Sequence, residues 1–497
     1  MSKRTSTEIL QQIFRGTLPI LVGNIIGMLS TFLLRIVTAR HLAPGDYGIL
    51  ILGVTVMSTV GLVAQLGFPE ALARQLRLEN SPGRLFIGSM WISVSIGIVI
   101  SGIIILSADA FAVLLSVPKA TPVLKLFGIA IPLYISLYLI LGAFRSYESI
   151  LPRIILNDVV YHFGSFLLVS LGVIFGIGLT GLASLWIAPL IVAVICGLGM
   201  LYHLNSVSTS NDDFLPSVQD FGMMKDFVVF SLPLLFANIS WQIFQHTDTI
   251  LIGYFKSSEF IGYYDSAFTI SRVLLLFSWG VGFLFLPIMT DVLQSESSNA
   301  ARIYTTITKW TSFLTAPVFI IVVFFPSSLI HMLFGPSYSH GKSALIVLSI
   351  GFMSNVISGQ TKETIIAAGQ TNYILYGNSA ALGCNILLNI ILIPIFGITG
   401  AAIASMATYL VVNSFYVYTL YRTQGIQPFS KTHLVPLSFG SILISAVCIF
   451  WPFGEPESWL AFLILAMVSY LVQGVAIIIS GGLQDLDKQL LRQLTPI

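Results

Sequence analysis

The stretch RIVTARHLAPGDYGIL, Arg35–Leu50, sets two arginines, a histidine and a Pro-Gly-Asp turn between two long apolar runs. Upstream lies GTLPILVGNIIGMLSTFLL, Gly16–Leu34; downstream lies GILILGVTVMSTVGLVAQL, Gly48–Leu66. Each run is near the length that crosses a bilayer as a helix, about 20 residues. The polar stretch therefore reads as a hairpin tip at a membrane face, with Arg35 at the edge of the lipid.

Composition extends this to the whole chain. Of 497 residues, 56% are apolar and 9% charged, whereas a soluble domain carries about 25% charge. No water-soluble fold hides that much apolar surface, so the chain reads as an all-α integral membrane protein. A net charge of +2 points to no nucleic-acid partner. Cys196, Cys384 and Cys448 all fall in apolar runs and are expected as small buried residues outside any disulfide framework. The N-terminal MSKRTSTEILQQIFR is basic and precedes a full-length span without a small-residue cleavage site. It is expected to be retained as part of the first helix.

Runs of spanning length recur at Gly16–Thr38, Gly48–Leu66, Leu85–Leu106, Val123–Phe144, Ile154–Ile177 and Leu182–Leu204. A polar break, NSVSTSNDDFLPSVQDFG, follows at Asn205–Gly222. Further runs are Phe227–Thr249, Tyr264–Met289, Trp310–Phe334, Ala344–Ala368, Tyr373–Phe396, Ala401–Leu420, Leu434–Phe453 and Trp459–Ile479. The expectation is about 14 transmembrane helices. With the N-terminus in the cytoplasm, sixteen lysines and arginines fall on inner segments and six on outer ones, the bias that sets orientation. Both termini are then cytoplasmic, and the opening hairpin tip faces outside.

The chain also repeats itself. TLPILVGN, Thr17–Asn24, matches SLPLLFAN, Ser231–Asn238, at an offset of 214 that still holds at Gly48 and Gly262. FGIGLTGLAS, Phe175–Ser184, resembles FGITGAAIAS, Phe396–Ser405, with the offset grown to about 219–221. Six helices is an even number, so the copies share one topology and form parallel repeats. The expected organisation is a six-helix half over 1–204, a cytoplasmic linker over 205–224, a second six-helix half over 225–424, and two added helices with a tail over 425–497. The two halves are expected to surround a central cavity.

The stretches ARHLAPGDYGILILGVTVMSTVGLVAQLGFPEALAR, Ala39–Arg74, and DTILIGYFKSSEFIGYYDSAFTISR, Asp248–Arg272, together with the six, six and two arrangement, resemble the polysaccharide-export branch of the multidrug/oligosaccharidyl-lipid/polysaccharide exporter superfamily. The likeness covers nearly the whole chain and lies in turns and spans rather than in a catalytic signature. It implies a non-enzymatic flippase of the cell membrane that moves a lipid-linked oligosaccharide from the cytoplasmic to the outer leaflet by alternating access. The implied partners are a glycan linked to polyprenyl phosphate or pyrophosphate, membrane lipids, and glycan polymerase or ligase machinery, with no cofactor.

Such cargo needs cationic groups for its phosphate, hydrogen-bonding groups for its sugar and an apolar flank for its tail. Arginine suits phosphate because its fork meets two oxygens and stays charged. Arg272 is the sharpest candidate. It stands about eight residues into its run, roughly 12 Å deep at 1.5 Å per residue, where a charge costs about 2.5–3.5 kcal/mol. A snorkelling anchor, or an ion pair with Asp265 or Asp248, is the structural alternative. Arg35 is either a second cargo contact or an interfacial anchor. At offset 214 it corresponds to Thr249, beside Asp248, so Arg35 and Asp248 are candidate partners in an outer gate. Asn238, Gln242, Gln245, His246 and Thr249 recur at helical spacing on one face, and Asn24 repeats Asn238. They read as a sugar-binding lining. Asn378, Asn385 and Asn389 share another face, and there interhelical bonding is the favoured reading.

The alternative is a cation-coupled multidrug exporter of the same superfamily. That chemistry needs buried carboxylates, and the first helix has none; Arg272 reads as the deepest charge. A membrane glycosyltransferase would need an outer acidic motif or a large outer loop. No metal-ligand cluster, nucleophile motif or phosphate-binding glycine loop is present in the sequence.

Overall fold

The computed structural model describes the chain except residues 1–5, 80, 115–116, 148, 208–220, 296, 453, 484–486 and 488–497. Within helices, some residues are described by backbone alone, including 6–21, 233–234, 236–238 and 283–284. Helices account for nearly all of it, and no strand occurs among the described residues. Among the described residues, twelve helices are long and apolar enough to cross a membrane, and thirteen if the bent pair Ser258–Gly282 and Phe285–Gln294 is one span. A fourteenth expected span, Phe227–Thr249, lies inside a 35-residue helix, Phe221–Phe255, part of which is described by backbone alone.

The chain divides into two compact units, Met1–Gly262 and Tyr263–Ile497. Unit 1 contains α1 (Ser6–His41), α2 (Pro44–Ala64), α3 (Phe68–Gln75), α4 (Pro82–Leu106), α5 (Ala108–Leu114), α6 (Thr121–Ser146) and α7 (Ile150–Arg153). A ten-residue π-helix, Ile154–Phe163, then leads into α8 (Gly164–Ile174), α9 (Leu179–Val207) and α10 (Phe221–Phe255). Helix α11 (Ser258–Ser271) starts in unit 1 and enters unit 2. Unit 2 continues with a 3-10 turn, Arg272–Leu275, then α12 (Leu276–Ser295), α13 (Ser297–Phe324), α14 (Pro326–Phe334) and α15 (Lys342–Ser358). It ends with α16 (Thr361–Ala367), α17 (Thr371–Phe396), α18 (Ile398–Gln424), α19 (Lys431–Ile449) and α20 (Trp459–Ile479).

Single residues set several boundaries that differ from the sequence expectation. The run expected at Trp310–Phe334 stops at Phe324 because Phe325 leaves helical geometry and Pro326 opens α14, where a proline fits the first turn. The run expected at Ala344–Ala368 stops at Ser358 because Gly359 adopts φ +69°. Most of the expected linker, residues 208–220, lies outside the described set. Cys448 is buried as expected, but Cys196 is exposed and Cys384 half-buried, and all three are free thiols. A membrane helix can point an apolar residue outward, so an apolar run does not imply burial within the protein.

Helix α2 breaks where Leu66, at φ +54°, is followed by Gly67 at φ +73°. Leu66 is the lone non-glycine positive φ among the described residues, a conformation that costs about 1–2 kcal/mol for such a side chain. The break lets α3 wedge between α6 and α10. A Cβ on Gly67 would lie 2.7 Å from the Ser231 carbonyl oxygen of α10, and one on Gly142 of α6 would lie 2.5 Å from the Pro69 carbonyl oxygen. Beyond this wedge, the Arg77 side chain donates to the Ser146 carbonyl at the end of α6.

Candidate functional site

The 214-residue offset reappears in the packing of unit 1. A Cβ on Gly48 would meet the Ser258 carbonyl oxygen at 1.9 Å, and one on Gly262 would meet the Pro44 carbonyl oxygen at 2.3 Å. Pro44 and Ser258 are themselves 214 apart. The first turns of α2 and α11 thus cross in a reciprocal contact so close that neither position admits a side chain. Gly45 packs in the same way, with its Cβ position 3.2 Å from Cγ of Glu259. Further on, Gly176 and Gly397, 221 apart, both take positive φ, +68° and +59°.

The candidate lining lies on α1 and α10. Asn24 and Gln242 are exposed, Arg35, Gln245 and His246 half-buried, and Asp248 and Thr249 buried. The side chain of Asn238 lies outside the described set. His246 faces α2, with its Nε2 3.4 Å from Oγ of Ser58. The stripe therefore starts exposed near Gln242 and sinks into the helix packing one and two turns later.

Arg272 opens the 3-10 turn between α11 and α12, and its side chain is exposed. The span begins at Ser258 rather than Tyr264, so Arg272 lies farther along it than the sequence reading placed it, about 21 Å at 1.5 Å per residue. Its guanidinium sits 5.6 Å from the ring centre of Phe268 and 5.2 Å from that of Trp279. Cation–π contacts of this kind each contribute about 0.5–1 kcal/mol when exposed.

Asp158 is a residue the sequence reading passed over. It is buried in the π-helical segment, inside the span Leu151–Ile174. Asn157 Nδ2 donates to its Oδ1 at 2.7 Å. Helix α1 presents glycines to it: Cβ atoms would lie 3.1 Å from Oδ2 at Gly23 and 2.8 Å from Oδ1 at Gly27. One turn later Thr31 Oγ1 stands 3.4 Å from Nδ1 of His162. Arg272 is therefore not the one deep charge. The signal was present as an Asn-Asp pair in an apolar run, ILNDVVY, but the α1 glycines that face it are more than 100 residues away.

The asparagines of α17 bond within the protein. Tyr416 OH donates to Oδ1 of Asn378 at 2.8 Å, Asn389 Nδ2 to Oδ1 of Asn385 at 3.0 Å, and Asn385 Nδ2 to Oγ of Ser405 at 3.3 Å. All three are buried; Asn378 and Asn385 bond to α18, as interhelical bonding requires, while the Asn389–Asn385 bond stays within α17. No cluster of three or more His, Cys, Asp or Glu that could hold a metal ion occurs among the described residues.

The family model described as "Polysaccharide biosynthesis protein" matches residues 13–293, more than half of the chain. The chain belongs to this family. A second family model, MatE, matches residues 233–391, so the two models overlap across α10–α12. The chain is similar to "Probable low-salt glycan biosynthesis flippase Agl15" of Haloferax volcanii, 25% identical over 80% of this chain and 81% of that protein. The fold is similar to that of "Lipid II flippase MurJ, inward closed conformation". The TM-score is 0.72 at 14% identity, covering 96% of this chain and all of that one. An inward-facing multidrug resistance MATE family transporter of the MOP superfamily superposes with TM-score 0.64 at 14% identity, over 80% of this chain and 94% of that one. The family member described here is thus an all-helical, multi-pass membrane protein of that fold.

Proposed function

We propose that the protein is a flippase that carries a polyprenyl-linked oligosaccharide or polysaccharide repeat unit from the cytoplasmic to the outer leaflet by alternating access. Family membership and the flippase named among its relatives support the reading. The observation that carries it is Arg272: an exposed guanidinium deep within a span, flanked by Phe268 and Trp279. Facing acyl chains, that charge costs about 2.5–3.5 kcal/mol. Facing a wet cavity, it costs little and attracts an anionic phosphate. Arg35 is a second phosphate contact, and Asn24, Asn238, Gln242, Gln245 and His246 bond the sugar. The outer gate pairs Arg35 with Asp248, above a crossing fixed by Gly48 and Gly262. Both termini are cytoplasmic, in the cell membrane, and glycan polymerase or ligase machinery takes up the product.

The test is flipping of a polyprenyl-linked glycan in proteoliposomes. Arg272→Ala should slow it at least 10-fold and Arg272→Lys by less, because lysine keeps the charge but loses the planar fork. A rate unchanged in Arg272→Ala refutes the reading. For the gate, Arg35→Asp with Asp248→Arg should restore transport lost in each single variant.

A cation-coupled exporter is the second reading, and Asp158 favours it as a buried carboxylate inside a span. It requires efflux of organic cations driven by a proton or sodium gradient and abolished in Asp158→Asn. Glycan flipping without cation efflux excludes it.

A further inference from the structure

The last turns of α18 and the connection to α19 enclose a cleft of about 260 Å³ within unit 2. One wall is a face of α18, where Ser414, Val417, Tyr418 and Tyr421 recur at helical spacing. The other wall is Gln427 and Phe429, and Ser358 at the end of α15 completes the lining. Ser414, Tyr418, Tyr421, Gln427 and Phe429 are all exposed.

Both walls are fixed by contacts behind them. Gly425 turns the chain at φ +69°. Burial then alternates: Ile426 and Pro428 are buried, Gln427 and Phe429 exposed. The buried His433 donates from Nδ1 to the Pro428 carbonyl at 3.0 Å. On the helix side, Asn413 Nδ2 donates to Oγ of Ser354 at 3.2 Å and ties α18 to α15. Tyr304 OH donates to the Ser358 carbonyl at 2.5 Å. The cleft is therefore preformed.

The chemistry of the lining selects a ligand. Tyr418, Tyr421 and Phe429 bring aromatic rings. Ser414, Tyr418, Tyr421 and Gln427 bring hydroxyl and amide groups whose side chains bond no other protein group among the described residues. Among those residues no charged side chain lines the cleft; Arg422 follows Tyr421 in sequence but is not part of the lining. A phosphate would find no cation here to meet it. An acyl chain would match the rings and not the hydroxyls or the amide. A sugar ring matches both, because its C–H groups stack on the negative faces of aromatic rings and its hydroxyls donate and accept. The cleft is smaller than the about 300–1,000 Å³ of sites for drug-sized ligands, which suits one ring rather than a chain of them. Tyrosines at a membrane face are common as interfacial anchors, but an anchor needs no opposing wall of polar groups.

Depth gives the source of the ring. Candidate spans end at Gln424 and begin again at Lys431, so the cleft stands at the level of a glycolipid headgroup. We propose that this cleft binds one neutral sugar ring of a lipid-linked glycan at the membrane face, before the glycan is moved. The choice of a lipid-linked sugar rests on the flippase reading.

The test measures binding by the full chain in phosphatidylcholine nanodiscs. The probes are polyprenyl diphosphate carrying one glucose, the same lipid without sugar, and the same lipid carrying one glucuronic acid. Tyr418→Ala with Tyr421→Ala should weaken binding of the glucosyl lipid at least 10-fold and of the sugar-free lipid less than 2-fold. Tyr418→Phe with Tyr421→Phe keeps the rings without the hydroxyls and should fall between; it also carries the test if the alanine variant does not fold. The parent should bind the glucuronosyl lipid at least 3-fold more weakly than the glucosyl lipid. Methyl glucoside, which has no lipid, should show saturation transfer from the parent and none from the alanine variant, and this arm reads the cleft without the flippase reading. Equal losses for the glucosyl and sugar-free lipids would make the tyrosines interfacial anchors and overturn the site. Unchanged glucosyl-lipid binding in the alanine variant would overturn it too, as would equal binding of the neutral and acidic sugars by the parent. A chain that binds the glucosyl lipid through these tyrosines but moves no glycan would refute the flippase reading and leave the site intact.

Discussion

The strongest energetic consequence concerns the end of the chain. Lys309 of α13 and Asp487, beyond α20, form an ion pair with side chains 3% and 0% exposed. Trp310 Nε1 donates to the other oxygen of Asp487 at 2.8 Å, and Lys309 Nζ also donates to the Gly482 carbonyl at 3.2 Å. The carboxylate is thus met at both oxygens, and the ammonium finds a second acceptor. Removing one member of such a pair leaves a buried, uncompensated charge and costs about 3–5 kcal/mol. For a unit of about 235 residues, 1 kcal/mol moves the melting temperature by about 2–4 °C, so each single variant should lose about 6–20 °C.

The perturbation is a double-mutant cycle of Lys309→Met, Asp487→Leu and both together, read by thermal unfolding of the purified protein in detergent. Each single change should cost the full amount, since Lys309→Met strands the carboxylate and Asp487→Leu strands the ammonium. The double variant removes both charges and should recover most of the loss, because an apolar pair of similar volume is often as stable as a buried ion pair. A coupling of about 3 kcal/mol or more between the two sites is expected, above the usual range for neighbouring residues. Additive losses, or single variants within 2 °C of the parent, would refute the claim that this pair fastens the tail to α13.

Other consequences are open to the same kind of measurement. Gly48→Ala and Gly262→Ala should destabilise by similar amounts, about 1–3 kcal/mol each as overpacking, and the double variant should cost less than their sum; unequal effects would refute the reciprocal crossing. Gly27→Ala should destabilise through its clash with Asp158, and Asp158→Ser in the same chain should recover stability. Burial raises the pKa of Glu70 above its ordinary value of 4.5, so folding favours its protonated form. Its contribution is full below the ordinary range and lost as pH rises through the raised value. Glu70→Gln should therefore melt higher than the parent at pH 8, with the advantage vanishing by pH 4; a constant difference across that range would contradict the assignment.

Much of the architecture was legible because bilayer thickness fixes span length, and apolar runs of that length need no knowledge of tertiary contacts. What stayed hidden depends on single residues or distant partners. Phe325 and Gly359 end helices through backbone angles that hydropathy does not register. Arg272 was placed too shallow because the polar residues Ser258–Glu259 open a helix rather than precede one. The Asp158 niche required knowing that Gly23 and Gly27 of α1 face residues of the π-helical segment. Asn378 and Asn385 of α17 were legible as interhelical links because polar groups inside a bilayer need partners, and Tyr416 and Ser405 supply them.

The two copies diverge in an instructive way. Gly48 and Gly262 occupy matched positions where a Cβ would strike a backbone oxygen, and Gly176 and Gly397 share a left-handed conformation. Steric exclusion holds such positions constant whatever the cargo. The charged positions follow no such constraint. The mate of Arg272 at offset 214 is Ser58, which lies beside His246. At offset 221 Asn157 pairs with Asn378, while Asp158 pairs with Ser379. The glycines that receive Asp158 correspond to Ala237 and Trp241, so the niche belongs to one copy. The first copy thus buries Asp158 where the second has Ser379, and the second exposes Arg272 where the first has Ser58.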